Sequence, residues 1–180
     1  MQGRQISKFL SLVLRHEPEK IGLGLDAGGW VGVTELLDAC RAHGFSLTLE
    51  ELHNVVDTDS KKRFAFSEDG LKIRASQGHS IAIDLGYEPV DPPHVLYHGT
   101  AERFLSSIME RGLLRGERHH VHLSSDVFTA TTVGRRHGRP VVLEVDSNLM
   151  SRDGHLFYRS QNGVWLTEHV PPKYLSVLRD

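Results

Sequence analysis

The sequence predicts an α+β protein of two lobes, the first helical with one hairpin and the second mostly β. Three observations carry this. Apolar residues recur at helical spacing as far as Val56, the period drops to two from Arg63, and a proline-rich break, GYEPVDPP, precedes a series of short apolar runs separated by turn residues. A chain of 180 residues can bury two small cores but cannot build a large barrel. We place the first lobe at 1–85, a semi-rigid linker at 86–93 and the second lobe at 94–180.

In the first lobe, Ile6, Phe9, Leu10 and Val13 share a helical face, and Pro18 ends that helix soon after Arg15 and His16. A second helix starts at Thr34 in TELLDACRAH, with Leu36, Leu37 and Cys40 on one side and Gly44 as a left-handed stop. Thr48 and Glu51 have the spacing of a capping box for a third helix through Leu52, Val55 and Val56. Arg63 to Phe66 and Leu71 to Arg74 then alternate around the turn Ser67-Glu68-Asp69-Gly70, a β-hairpin. Three short helices followed by a hairpin make a winged-helix-like lobe, an arrangement that does not by itself establish contact with nucleic acid.

The second lobe opens with an apolar strand at Val95-Leu96-Tyr97, followed by a helix from Glu102 to Arg111 closed by Gly112. Further strands are expected at Val121 to Ser124, Pro140 to Val145, His155 to Tyr158, Val164 to Thr167 and Tyr174 to Leu178, with Asn162-Gly163 as a hairpin turn. One or two helices accompany them.

Hydrophobic residues at 39% and charged residues at 24% are ordinary globular composition and exclude a largely disordered or fibrous chain. Cys40, the single cysteine, excludes an internal disulfide and a multi-cysteine zinc site. Apolar runs such as Phe9 to Leu14 are far short of the roughly 18 residues of a membrane span, and MQGRQISKFL has no apolar signal core, so a soluble, cytoplasmic monomer is expected. A net charge of −2 gives no overall attraction to polyanions, so any such recognition must be local. The composition departs from average in its 12 histidines and in a C-terminal half whose single lysine, Lys173, stands among many arginines. Planar guanidinium donors with imidazoles able to exchange protons near neutral pH suit phosphate chemistry.

Each candidate constellation has a plainer alternative. Arg15-His16 can simply complement a helix C-terminus. Arg63, after Lys61 and Lys62, and Arg118, within Arg115 to His122, can be solvated charges. IRASQGHS gathers Arg74, Gln77, His79 and Ser80 around Gly78, as a polar turn or as a ring of donors. His98-Gly99-Thr100 follows an apolar run and should emerge at a strand end, next to a residue with no side chain to obstruct a ligand, or form a strand-to-helix turn. His120 and His122 should share one strand face. Zinc binding is the rival reading of that pair, but no HExxH and no cysteine pair occurs, nor any GxGxxG or GxxxxGK[ST], which argues against a metal site, a classical dinucleotide fold and a P-loop.

Taken together, LRH (Leu14 to His16), KKRF (Lys61 to Phe64), IRASQGHS (Ile73 to Ser80), LYHGT (Leu96 to Thr100), RHHVHLS (Arg118 to Ser124) and NGVWLT (Asn162 to Thr167) closely resemble, in order and over nearly the whole chain, the RNA 2'-phosphotransferase family, often called tRNA 2'-phosphotransferases. The resemblance implies an N-terminal winged-helix-like RNA lobe and a C-terminal, mostly β, NAD-binding lobe of the ADP-ribosyltransferase type. It implies removal of an internal 2'-phosphate from RNA with NAD consumed as co-substrate and no metal. The phosphate attacks the anomeric carbon of the nicotinamide ribose, and nicotinamide leaves. The neighbouring 2''-hydroxyl of the resulting RNA-2'-phospho-ADP-ribose then attacks phosphorus, giving 2'-hydroxyl RNA and ADP-ribose 1'',2''-cyclic phosphate.

By the same resemblance Arg15, Arg63 and Arg118 are the essential arginines and His16 the essential histidine. His98, Gly99, Thr100 and His122, with Ser124 and Val164, hold NAD. Related protein-modifying transferases carry a glutamate at the last of these motifs, where this chain reads Asn162-Gly163-Val164. A phosphate is already anionic and needs no base to become a nucleophile, so the missing carboxylate fits a phosphate acceptor. Two rival readings are an ADP-ribosyltransferase that acts on phosphorylated nucleic-acid ends and stops after the first step, and a non-catalytic nucleic-acid-binding regulator that senses NAD.

Overall fold

The structure, a computed structural model, describes residues 3–178. The chain divides into two compact units, with the division between Gly86 and Tyr87.

The first unit runs α1 (Gly3–Arg15), β1 (Val31–Gly32), α2 (Val33–Ala42), α3 (Leu49–Thr58), β2 (Phe64–Phe66) and β3 (Lys72–Ala75). Helix α1 buries Ile6, Leu10, Val13 and Leu14, a stripe at the spacing of one helical face. It meets Leu36 and Cys40 of α2, Leu52, Val55 and Val56 of α3, and Phe64, Ile73 and Ala75 of the sheet in one core. Full burial of each such leucine is worth about 1.5 to 3 kcal/mol against exposure. The capping box on α3 is present: Thr48 Oγ1 accepts from Glu51 N, and Glu51 Oε2 accepts from Thr48 N. Helix α2 begins one residue before the expected Thr34, after the extended Gly32, because Gly32 also ends β1 and leaves no room for a side-chain cap. The hairpin β2–β3 gains β1 as a third strand in the order β1-β3-β2, a two-residue pairing too short to register as a period.

The second unit contains β4 (Leu96–Ala101), α4 (Leu105–Arg111), β5 (Leu113–Leu114), β6 (Val121–Leu123), α5 (Val127–Gly134), β7 (Pro140–Val145), α6 (Ser147–Arg152), β8 (Phe157–Arg159), β9 (Trp165–Thr167), β10 (His169–Val170) and β11 (Leu175–Val177). All its pairings are antiparallel, in the sheets β11-β7-β4, β6-β9-β8 and β10-β5. Tyr97 and Ser124 exchange backbone hydrogen bonds of 2.8 Å, which joins β4 to the end of β6. Segment 87–93 is irregular but anchored within this unit: Val90 N donates to Phe157 O at 2.8 Å and Ser147 Oγ to Pro93 O at 2.6 Å.

Two expectations for this unit need correction. It holds three α-helices, α4, α5 and α6, where one or two were expected. Five of the eight residues of α5 are β-branched, so its sequence argues for strand. The helix forms because Asp126 caps it at Thr129 N and because Ala130 and Gly134 bury their backbone against a strand. Second, strand β4 does not stop at Tyr97. It continues to Ala101, paired with β7 from Leu96↔Val145 to Ala101↔Pro140, so His98-Gly99-Thr100 lies inside a strand and neither at its end nor in a turn. A Cβ built on Gly99 would sit 1.6 Å from Ala130 O, and one on Gly134 2.6 Å from Thr100 O. The missing side chain of Gly99 thus lets α5 lie directly on β4. Among the described residues no helix is long and apolar enough to cross a membrane.

Candidate functional site

In the first unit, Arg15 is the last residue of α1 and His16 follows it, while Arg63 immediately precedes β2. Tertiary pairing brings these positions together. The backbone carbonyl of Arg63 accepts from Ser76 N at 2.8 Å and from Arg15 Nη2 at 3.3 Å, so the Arg15 guanidinium is tied to the Arg63 backbone. Ser80 binds both members of the first pair: its N–H donates to Arg15 O at 3.0 Å, and its hydroxyl lies 2.9 Å from His16 Nδ1. The guanidinium of Arg15 also lies 5.8 Å from the centre of the Phe64 ring. The Arg15 guanidinium, the His16 imidazole and the backbone of Arg63 therefore gather at the C-terminal end of α1. In the same unit His79 is buried, and the Arg74 guanidinium lies 4.4 Å from the centre of the Trp30 ring.

The turn that delivers Arg63 is unusual. Lys62 has φ +46°, the only non-glycine residue at positive φ among the described residues. That conformation costs an L-residue about 1 to 2 kcal/mol. Hydrogen bonds hold it: Lys62 N donates to Asp59 O at 2.9 Å, and Lys62 O accepts from Ser76 Oγ at 2.8 Å.

In the second unit, His98 of β4, His122 of β6, Ser124 and Arg118 come together. The Nδ1 of His98 lies 3.1 Å from His122 O; a carbonyl only accepts, so Nδ1 carries the proton and Nε2 is left as an acceptor. Burial pushes the His98 imidazole below the ordinary histidine range, and the nearby charges of His137 and Arg118 lower it further. Nη1 of Arg118 lies 3.2 Å from His122 Nδ1; a guanidinium only donates, so the His122 proton sits on Nε2. Nε2 of His98 is thus an acceptor suited to a sugar hydroxyl, with His122 oriented beside it by Arg118. His120 precedes β6 and is occupied by rings, 5.4 Å from Tyr158 and 6.4 Å from Tyr87.

The remaining positions differ. Thr100 is buried in β4, two residues from His98. Val164 lies one step beyond the last pair of the β6–β9 ladder, Leu123↔Trp165, at its Ser124 end, and is tied to Ser160 through both its N–H and its carbonyl. Gly99 has the packing role described above. Among the described residues, no group of three or more His, Cys, Asp or Glu is arranged to hold a metal ion. Two contacts were not foreseen. The sequence offers Ser80 only as a loop donor, with no partner visible, and gives no signal that brings His137 near His98. Asp59, four residues before Arg63, did carry one, the spacing of a helical ion pair.

A sequence model described as "RNA 2'-phosphotransferase, Tpt1 / KptA family" matches residues 2–169. Several bacterial relatives carry the name "Probable RNA 2'-phosphotransferase". The one from Acaryochloris marina is 56% identical over 173 residues, 96% of each chain. That from Trichormus variabilis is 53% identical over 179 residues, 98% of each chain. That from Streptomyces coelicolor is 57% identical over 171 residues, 95% of this chain and 93% of its own.

Proposed function

The chain belongs to the RNA 2'-phosphotransferase family, and on that footing we propose that it removes an internal 2'-phosphate from RNA by transferring it to NAD, consumed as co-substrate. The observation that carries the reading is the hydrogen bond from the Arg15 guanidinium to the Arg63 backbone, with His16 held beside Arg15 by Ser80. A 2'-phosphomonoester is dianionic at neutral pH and must approach a second anion. Guanidinium groups in fixed relation neutralise that charge and stabilise it as it develops at phosphorus. On this reading the first unit is the winged-helix-like RNA lobe, and the second is the ADP-ribosyltransferase-like lobe.

NAD supplies an electrophilic anomeric carbon and nicotinamide as the leaving group. The chain's own residues do the rest. Nε2 of His98 accepts from a ribose hydroxyl and His122, oriented by Arg118, helps hold the same sugar, with Ser124, Thr100 and Val164 close to it in sequence or strand register and Arg118 drawing the phosphate. No carboxylate is needed at Val164, since the attacking phosphate is already an anion. After nicotinamide leaves, the RNA-2'-phospho-ADP-ribose must be resolved. The 2''-hydroxyl gives up its proton as it attacks phosphorus, and the departing RNA 2'-oxygen takes one up. His16, held by Ser80, moves a proton in that exchange.

The test is to incubate the purified protein with NAD and a short RNA carrying a labelled internal 2'-phosphate. The label should appear in a cyclic phosphate of ADP-ribose, with one nicotinamide released per phosphate removed. Label arrested as an RNA–phospho–ADP-ribose adduct would instead mean a transferase that stops after the first step. NAD binding with no nicotinamide release would mean a regulator.

A further inference from the structure

Asp59, at the end of α3, stands outside every motif named so far, yet its carboxylate grips Arg63 at both ends. Asp59 Oδ2 accepts from the Arg63 backbone N–H at 2.8 Å, and Oδ1 accepts from Arg63 Nη1 at 2.6 Å. Oδ1 also takes Lys61 N–H at 3.1 Å. The Asp59 side chain is only 6% exposed, whereas that of Arg63 is 30% exposed. The carboxylate is thus a buried anchor and the guanidinium its more open partner.

We propose that Asp59 is the positioning residue that sets the plane and direction of the Arg63 guanidinium for the RNA 2'-phosphate. This rests on the phosphotransferase reading above.

A guanidinium is a rigid plane with donors on several edges. Fixing one Nη and the backbone amide of the same residue leaves that plane little freedom, and turns its remaining donors away from the anchor. The left-handed Lys62 makes this geometry possible. It reverses the chain between Asp59 and Arg63 so that amide and side chain fold back onto one carboxylate. The backbone carbonyl of Arg63, which accepts from Arg15 Nη2, ties Arg15 to the same turn. Asp59 touches no reacting atom on this account. It acts through Arg63, and its loss should be felt as weaker capture of the phosphate, while capture of NAD is unaffected.

The experiment compares wild type with Asp59→Asn and Asp59→Glu in steady-state kinetics with 2'-phosphorylated RNA and NAD varied separately. Folding is checked by circular dichroism, and the Arg63 guanidinium is followed by nitrogen-15 NMR. Asp59→Asn keeps the shape but sets an amide N–H₂ or a neutral oxygen against Nη1. The KM for RNA should rise on the order of 10- to 100-fold, the scale of a misplaced binding group. The KM for NAD should stay within twofold of wild type, about the limit of an effect worth less than half a kcal/mol. The Arg63 Nη resonances should merge as the side chain gains rotational freedom.

A folded Asp59→Asn protein with wild-type KM for RNA and unchanged Arg63 resonances overturns the proposal, as does an equal rise in both KM values, which marks a general structural defect. Should Asp59→Asn fail to fold, Asp59→Glu decides. It keeps the charge but displaces Arg63 by a methylene, and a wild-type KM for RNA in that variant again overturns the proposal. If wild-type protein moves no phosphate to NAD, the phosphotransferase reading fails. The NMR comparison still reports separately whether Asp59 holds Arg63.

Discussion

Replacing Gly99 with alanine tests the packing of α5 on β4 and separates that packing from any part in holding NAD. The added Cβ would stand 1.6 Å from Ala130 O, 2.5 Å from Ala130 C and 2.9 Å from Gly134 N, all backbone atoms of α5 that no rotamer change can move. To restore an ordinary contact of about 3.4 Å, the helix must retreat by roughly 1.8 Å along that line. Such a retreat uncovers Ala130 and Gly134, both buried, and lifts α5 from the six-residue ladder of β4 and β7. Ordinary overpacking costs about 1 to 3 kcal/mol; a backbone-on-backbone clash with no flexible side chain to yield belongs at or above the top of that range. Gly116, with nothing within 4 Å of its hypothetical Cβ but φ +62°, is the control: Gly116→Ala should lose only about 1 to 2 kcal/mol of backbone strain. Urea denaturation, with amide exchange over 127–134, measures both variants. A Gly99→Ala protein that loses less than about 1 kcal/mol, below the low end of ordinary overpacking, with α5 amides still protected, would refute the reasoning. A variant as stable as wild type that had lost NAD use would return Gly99 to the ligand.

Four further outcomes are expected. Lys62→Gly should leave stability unchanged or raise its melting temperature, since glycine adopts φ +46° without the penalty of about 1 to 2 kcal/mol that lysine pays there; a clear drop on melting would contradict that. His98 has a folded pKa below its ordinary 6.5. Stability is therefore full above pH 6.5 and falls as the pH drops from there through the folded pKa, because the unfolded chain takes up the proton first. The KM for NAD should rise only as the pH falls through that lowered folded pKa and Nε2 ceases to accept, and a KM that stays flat while proton NMR shows the His98 ring taking up its proton would count against His98 as the sugar's acceptor. His16→Ala should slow resolution of the intermediate by about 10²- to 10⁴-fold without a matching loss of nicotinamide release, followed by quenched single-turnover assay; both steps at normal rate would remove His16 from the proton transfer. Cys40 is fully buried and burial pushes its thiol up to about 11, so iodoacetamide at pH 8 should label it only in denaturant.

The legible parts of the molecule are those whose cause is local. The faces of α1 and α3, the Thr48–Glu51 box and the β2–β3 hairpin each follow from spacing within a dozen residues. Helix α5 was illegible because its threonines and valines speak for strand; what overrides them is a glycine thirty-odd positions upstream that admits the helix backbone. The same glycine misled the reading of His98-Gly99-Thr100. An absent side chain suggested an open strand end waiting for a ligand, when it marked a close approach within the fold. The candidate arginines and histidines were visible as residue types, but not the hydrogen bonds that orient them. Asp59 lay in plain view before Lys61-Lys62-Arg63, and only the left-handed turn at Lys62 turns its spacing into a grip.

The contacts of Ser80 with Arg15 and His16, and of Arg15 with Arg63, close loops of 64 and 48 residues. A ribosome therefore releases both arginines and the histidine well before the hydroxyl and amide that fix the first pair. Until the whole of that stretch has emerged and closed, at an entropic cost that grows only slowly with loop length, the cations at the end of α1 have no fixed relation to one another. On the proposed function, affinity for a phosphorylated RNA would thus be absent from chains that end before β3 and the loop carrying Ser80, even though all of α1, α2 and α3 is present.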